Sequence, residues 1–194
     1  LPASATRWTP SATASRFLLA AGLLFCGAAA ADQVDICYNY DCGTQATVIV
    51  NGKQLLKIRA LFRRAKTPEA EREAIAQAIG QFETIAGQQT PTRNDKGGNA
   101  DDDGVDGRMD CLDHSHNTTA YLELLEHRGW LKYHQLRERV RRAPYLVNDH
   151  WGARIVETQT GREYIVDSWF FDNGEPAAVF TLEEWKAGAS PNEK

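Results

Sequence analysis

The stretch from residue 88 to residue 108, rich in glycine, aspartate and asparagine, divides the chain into two differently patterned parts. An irregular segment of that length is uncommon in a compact domain unless it serves a site. Before it the pattern is mainly helical. Thr67-Pro68 offers a capping hydroxyl and a proline at the first helical position, and Glu69 and Glu71 supply acids in the first turn. Ile75, Ile79, Phe82 and Ala86 fall on one face, and Gly87 is the expected stop. Leu55, Ile58 and Phe62 also recur at helical spacing, with a short return strand as the alternative after the β-rich run 46–50 and the tight-turn signal Asn51-Gly52. After the divide, one helix is expected from Cys111 to His127, ended by Gly129. Strands follow over 131–140, 151–158 and 164–168, the last two joined through Thr160-Gly161. Thr181 with Glu184 forms a capping box for a short final helix to about Ala187. Helices first and strands afterwards imply an α+β domain, with N-terminal helices packed on a small antiparallel sheet.

Composition restricts the function classes. Hydrophobic residues make up 42% of the chain and charged residues 25%, a globular balance over 194 residues. The formal net charge of −4 argues against a protein built to grip phosphate backbones, and no nucleic-acid partner is expected. Arg7 and Arg16 precede the short apolar run 17–25, and small residues follow to Ala31. That order is the signature of a secretory signal peptide over residues 1–31, too short for a stable membrane span. The expected product is an exported protein, periplasmic or secreted, with a single domain over 32–194. Export permits disulfides, and Cys37 and Cys42 are close enough to pair. Cys26 is expected to leave with the signal peptide, which leaves Cys111 alone, to be buried and inert, paired with another chain, or reactive.

The densest chemistry lies in Asp110-Cys111-Leu112-Asp113-His114-Ser115-His116-Asn117. A cysteine at a helix N-terminus meets unpaired amides that favour its thiolate and that can donate to an oxyanion formed beside it. A thiolate needs an imidazole partner, and the imidazole needs a third group to hold its tautomer. His150 opens one expected strand and Asp167 closes the next. If those strands are antiparallel neighbours, the two side chains lie side by side, and the helix tip brings Cys111 to them. His114, one turn from Cys111, is the most interesting of the other histidines. Gln89 and Asn94 are candidates for an additional oxyanion donor.

The order Cys111, His150, Asp167, together with the helix ending in "LLEHRGWL", resembles that of the transglutaminase-like cysteine proteinases, a branch of the papain-like fold. The resemblance covers roughly residues 70–187. It implies Cys111 as nucleophile, His150 as base and Asp167 as the acid that orients it. It further implies a cysteine hydrolase of peptide or isopeptide bonds working through a thioester. Acyl transfer, by cross-linking or deamidation, is the alternative for the same residues, with a peptide or protein as substrate, cell-wall peptide among them. The competing class is a non-enzymatic binding module of the cell envelope that keeps the fold without the activity.

Metals give two further readings. Cys111, His114, His116 and His150 are chemically able to hold zinc, as a metal-dependent hydrolase would require, but His114 and His116 point to different sides of a helix. Asn99, Asp101, Asp103 and Asp110 follow the rhythm of a calcium loop, with Gly104 at the turn, although a solvated acidic loop accounts for the same residues. No cofactor is otherwise expected. The basic run 137–142 is expected on a solvated strand face.

Overall fold

A computed structural model describes residues 31–99, 101–143 and 149–191. The proposed signal peptide falls almost entirely outside them. The described chain is a mixed α+β domain. It opens with a two-stranded antiparallel hairpin, β1 (Asp32–Tyr38) and β2 (Thr44–Val50). Two helices follow, α1 (Gly52–Arg64) and α2 (Pro68–Gln89), then a single 3-10 turn at Pro91–Asn94. After the acidic loop comes α3 (Cys111–His127). A four-stranded antiparallel sheet completes the domain: β3 (His134–Arg142), β4 (His150–Glu157), β5 (Glu163–Asp167) and β6 (Ala178–Thr181), paired in sequence order, with α4 (Leu182–Lys186) after the last strand.

The expected helix over the region of Leu55, Ile58 and Phe62 is α1, and these are its buried side chains. The tight-turn expectation at Asn51-Gly52 is corrected. Asn51 is the N-cap of α1, and its side chain accepts from the amides of Lys53 and Gln54. The local signal is shared, since asparagine serves both turns and caps. In α2, Thr67 caps as expected, but the helix runs past Gly87 to Gln89. Gly87 lies inside the helix, where an added Cβ would stand 2.8 Å from Asn173 Oδ1 and 3.1 Å from Arg93 Cα, so the glycine serves a close approach rather than a stop. Two strands were not anticipated: β1, which carries Cys37, and β6.

The main core lies where α2 and α3 cross the sheet. Ile75, Ile79 and Phe82 of α2 meet Tyr121, Leu122 and Leu125 of α3 and Ile155 of β4, all at 1% exposure or less. Phe82 and Tyr121 stack with centroids 4.9 Å apart. A second cluster of Ile165, Leu182 and Trp185 packs at the other end of β5. It seats α4 beside the two strand ends that carry His150 and Asp167.

The hairpin is tied to α3 rather than to the sheet. Asn117 of α3 accepts from Cys37 N at 2.7 Å and donates to Cys37 O at 2.8 Å, which satisfies the exposed edge of β1. Residues 39–42 all take positive φ, between 51° and 67°, an unusual run for non-glycine residues. Their amides turn together onto carboxylates at the start of α3. Tyr40 N and Cys42 N donate to Asp113, each at 2.8 Å, and Asp41 N donates to Asp110 at 3.1 Å. Among the described residues no helix is long and apolar enough to cross a membrane.

Candidate functional site

Cys111, His150 and Asp167 stand at three adjoining element ends. Cys111 is the first residue of α3, after the N-cap Asp110, whose side chain accepts from Asp113 N. His150 is the first residue of β4 and Asp167 the last of β5, and the two strands pair antiparallel, with Ala153 opposite Val166. His150 Nε2 lies 2.7 Å from Asp167 Oδ2. Both side chains are buried, at 6% and 2% residue exposure, and the histidine lies at the floor of an aromatic enclosure. The centroids of Trp169, Phe170 and Trp185 are 5.0, 5.7 and 5.7 Å from that of His150.

The carboxylate is fixed from more than one side. Trp185 Nε1 donates to Asp167 Oδ2 at 2.9 Å, and Trp169 N donates to Oδ1 at 3.3 Å. Trp185 can reach it because β4 has a glycine beneath the indole. A Cβ on Gly152 would stand 2.4 Å from Ile165 Cγ2 and 3.1 Å from Trp185 Cζ2. Arg142 adds a positive charge behind the site, with its guanidinium 4.7 Å from the Trp185 ring centroid and a hydrogen bond to the Trp185 carbonyl. Sequence reasoning missed Trp185, because only the return of the chain through β6 brings α4 to this end of the sheet.

The electrostatics follow from burial and partners. Burial opposes a charge on His150, but the hydrogen bonds with Asp167 and then Cys111 overcome it and raise the imidazole to about 9. His150 is therefore an imidazolium at neutral pH, paired with the Asp167 carboxylate. Arg142 is pushed down by burial and partly restored by Asp167.

The thiol-hydrolase expectation is corrected, together with its transferase variant. Cys37 and Cys42 are joined in a disulfide, so two of the three cysteines among the described residues have no thiol to ionise and neither is a nucleophile. Cys111 is the free cysteine that remains, and its Sγ lies 3.9 Å from the Asp149 carbonyl oxygen. The helix end that was to favour its thiolate is already answered by Asp110 and Asp113. A thiol-dependent enzyme, protease or otherwise, is not assigned to this chain.

The other candidates disperse. His114 is 1% exposed and belongs to the interior. Its Nδ1 lies 2.8 Å from Ser168 Oγ and its Nε2 3.0 Å from Asp95 Oδ2, with Glu83 Oε1 3.7 Å away. Burial disfavours its charge, yet the two carboxylates hold it as an imidazolium, raised to about 10. It ties α3 to α2 and to the segment after β5. His116 lies instead beside the Cys37–Cys42 disulfide. The proposed zinc set of Cys111, His114, His116 and His150 is thus not assembled, and the metal-dependent hydrolase goes with it. The calcium set is not assembled either. Asp110 gives both oxygens to backbone amides, of Asp113 and Asp41, and Asn99 donates to Asp102, which also pairs with Arg108. Among the described residues, Asp101, Asp103 and Asp110 form no metal-holding group. Gln89 is spent on Ile49 of β2 and Asn94 on the Asp106 carbonyl, so neither faces His150.

No protein-family model, no curated protein and no solved structure matches this chain.

Proposed function

We propose that the His150 pocket is a recognition site for a ligand bearing a carboxylate, and that the chain is a binding module, with the free C-terminus of a peptide as the fitting ligand class. The observation that carries this reading is the imidazolium of His150, raised to about 9 and held by Asp167 at 2.7 Å within an aromatic enclosure. With Nε2 given to Asp167, the other ring N–H is the charged donor, on the side where Cys111 also hydrogen-bonds with the imidazole, and a ligand carboxylate would take the place of the sulfur there. Charge-assisted hydrogen bonds to a carboxylate are the strong ones. Asp167 balances His150, nearby Asp149 is paired with Arg141, and Arg142 adds a positive charge behind the site. Trp169 and Phe170, both half-buried, offer flat apolar faces to the rest of the ligand. Cys111 rims the site and takes no covalent part. The transglutaminase-like resemblance is compatible with a scaffold of this kind, since one fold hosts many sites.

The test is a titration followed by tryptophan fluorescence, with a short aromatic peptide carrying a free C-terminus and the same peptide as its amide. The carboxylate form should bind at least about tenfold more tightly, the worth of one charge-assisted hydrogen bond of about 1.5–3 kcal/mol. His150→Gln should abolish the difference. Affinity should fall as pH rises through about 9, where His150 loses its charge. Equal binding of acid and amide would overturn the reading.

A further inference from the structure

α3 also packs against the hairpin strand that carries Cys37. His116, on that helix, has a ring nitrogen close to both sulfurs of the Cys37–Cys42 pair, and one donor atom from each residue lies within 4.8 Å of the others. Two sulfurs and one imidazole nitrogen are the donor types of a zinc site, where ligand atoms stand about 3.3–3.8 Å apart around a tetrahedral ion. In the disulfide the sulfurs have no charge to offer. We infer that opening the Cys37–Cys42 disulfide converts these two sulfurs and His116 into a zinc site, so that this chain takes up the ion only in its reduced form.

The chemistry balances as follows. An external dithiol supplies two electrons and two protons to the S–S bond, leaving two thiols and its own cyclic disulfide. Zinc then displaces both thiol protons, which pass to solvent, and is bound by two thiolates and a neutral imidazole. A water molecule completes the fourth position.

The scaffold supports this because the two sulfurs are positioned by bonds that do not pass through the disulfide. Cys37 is held in β1 by both backbone groups on Asn117. Cys42 is held by its amide on Asp113, and the loop between them by Tyr40 on Asp113 and Asp41 on Asp110. Asn39 is anchored as well, donating from its amide to Arg108 O at 2.8 Å and accepting from Gly107 N at 2.7 Å. Opening the one covalent bond leaves these hydrogen bonds of β1 and the 39–42 turn in place, so the thiols stay opposite His116. The groove on this face is lined by His116, Asp35 and Glu123, whose carboxylates favour the approach of a cation. Cys42 is half-buried and gives a reductant access that the 1% exposed Cys37 does not.

The experiment uses the full chain carrying Cys26→Ser and Cys111→Ser, so that the thiols counted are Cys37 and Cys42. It is reduced with a dithiol, freed of it by anaerobic gel filtration, and titrated with cobalt(II), then with zinc(II) as competitor. The expected result is one cobalt per chain, with the thiolate-to-metal charge-transfer band and the intense visible bands of tetrahedral cobalt, all displaced by zinc. The unreduced protein should show neither band. His116→Gln should weaken binding about tenfold or more, as loss of one of three protein ligands requires. Circular dichroism of the reduced, metal-free chain should remain that of the oxidised one. Overturning results would be a reduced chain that binds cobalt no better than the oxidised chain, one whose binding is indifferent to His116→Gln, or one that unfolds when the disulfide is opened.

Discussion

Single residues set the character of the His150 pocket, and Gly152 is the clearest case. It contributes no contact, yet its missing Cβ is the space that Trp185 occupies, and Trp185 is a donor that fixes Asp167. The nearest atom to a new Cβ would be a methyl of Ile165, which is fully buried in β5 and branched at its own Cβ, so it has no easy rotamer escape. Gly152→Ala should therefore cost about 1–3 kcal/mol of stability, as overpacking in a tight interior does. It should also shift Trp185 fluorescence through the displaced indole. Urea unfolding measures the first quantity, and unchanged stability would show that this end of the sheet is looser than described. Nothing in the local sequence marks Gly152. A glycine in a strand signals close approach in general, but which neighbour approaches depends on residue 185, far along the chain.

At the scale of elements, α3 is the part on which both sites depend. Its N-terminus bears a capping box, Asp110 with Asp113, and this same pair receives the amides of the 39–42 turn. Burial pushes the Asp113 carboxyl up to about 6, in spite of the backbone amides that donate to it. A carboxyl that binds its proton more tightly when folded contributes stability that is fully present below its ordinary value of 3.8 and is lost as pH rises through about 6. Asp113→Ala should remove that dependence between pH 4 and pH 6. It should also destabilise the protein by about 2 kcal/mol or more, because the Tyr40 and Cys42 amides lose their acceptor. Thermal unfolding against pH, in both proteins, checks the two effects together. The start and end of α3 were legible because the cap, the apolar spacing and Gly129 all act within the helix. The hairpin that clamps it was not, because β1 earns its place through Asn117, eighty positions away in sequence, as the hydrogen bonds with Cys37 record.

For the whole molecule, the order of elements carried most of what a sequence can show. Residues 111, 150 and 167 come together because each lies at the end of a regular element, and element ends are where local signals are strongest. The α+β class followed from the same signals, and the Cys37–Cys42 pair from close spacing together with the expected export. The chemistry assigned to those positions did not survive, since the charge state of a thiol or an imidazole depends on burial and on partners that only the folded chain supplies. His114 shows the difference: on paper it is one turn from Cys111, and in the fold it is sealed between Asp95, Glu83 and Ser168. The central claim is that His150 is a buried imidazolium maintained by Asp167. Such a group contributes stability that is fully present below its ordinary value of 6.5 and is lost as pH rises through about 9. The most direct measurement is the nitrogen and proton resonances of the His150 ring followed by NMR from pH 5 to pH 10, in the wild type and in Asp167→Asn. The expected midpoint is about 9 in the wild type, falling clearly in Asp167→Asn, where burial loses the larger of its two opponents and Cys111 alone remains against it. A midpoint near 6.5 in both proteins would contradict it.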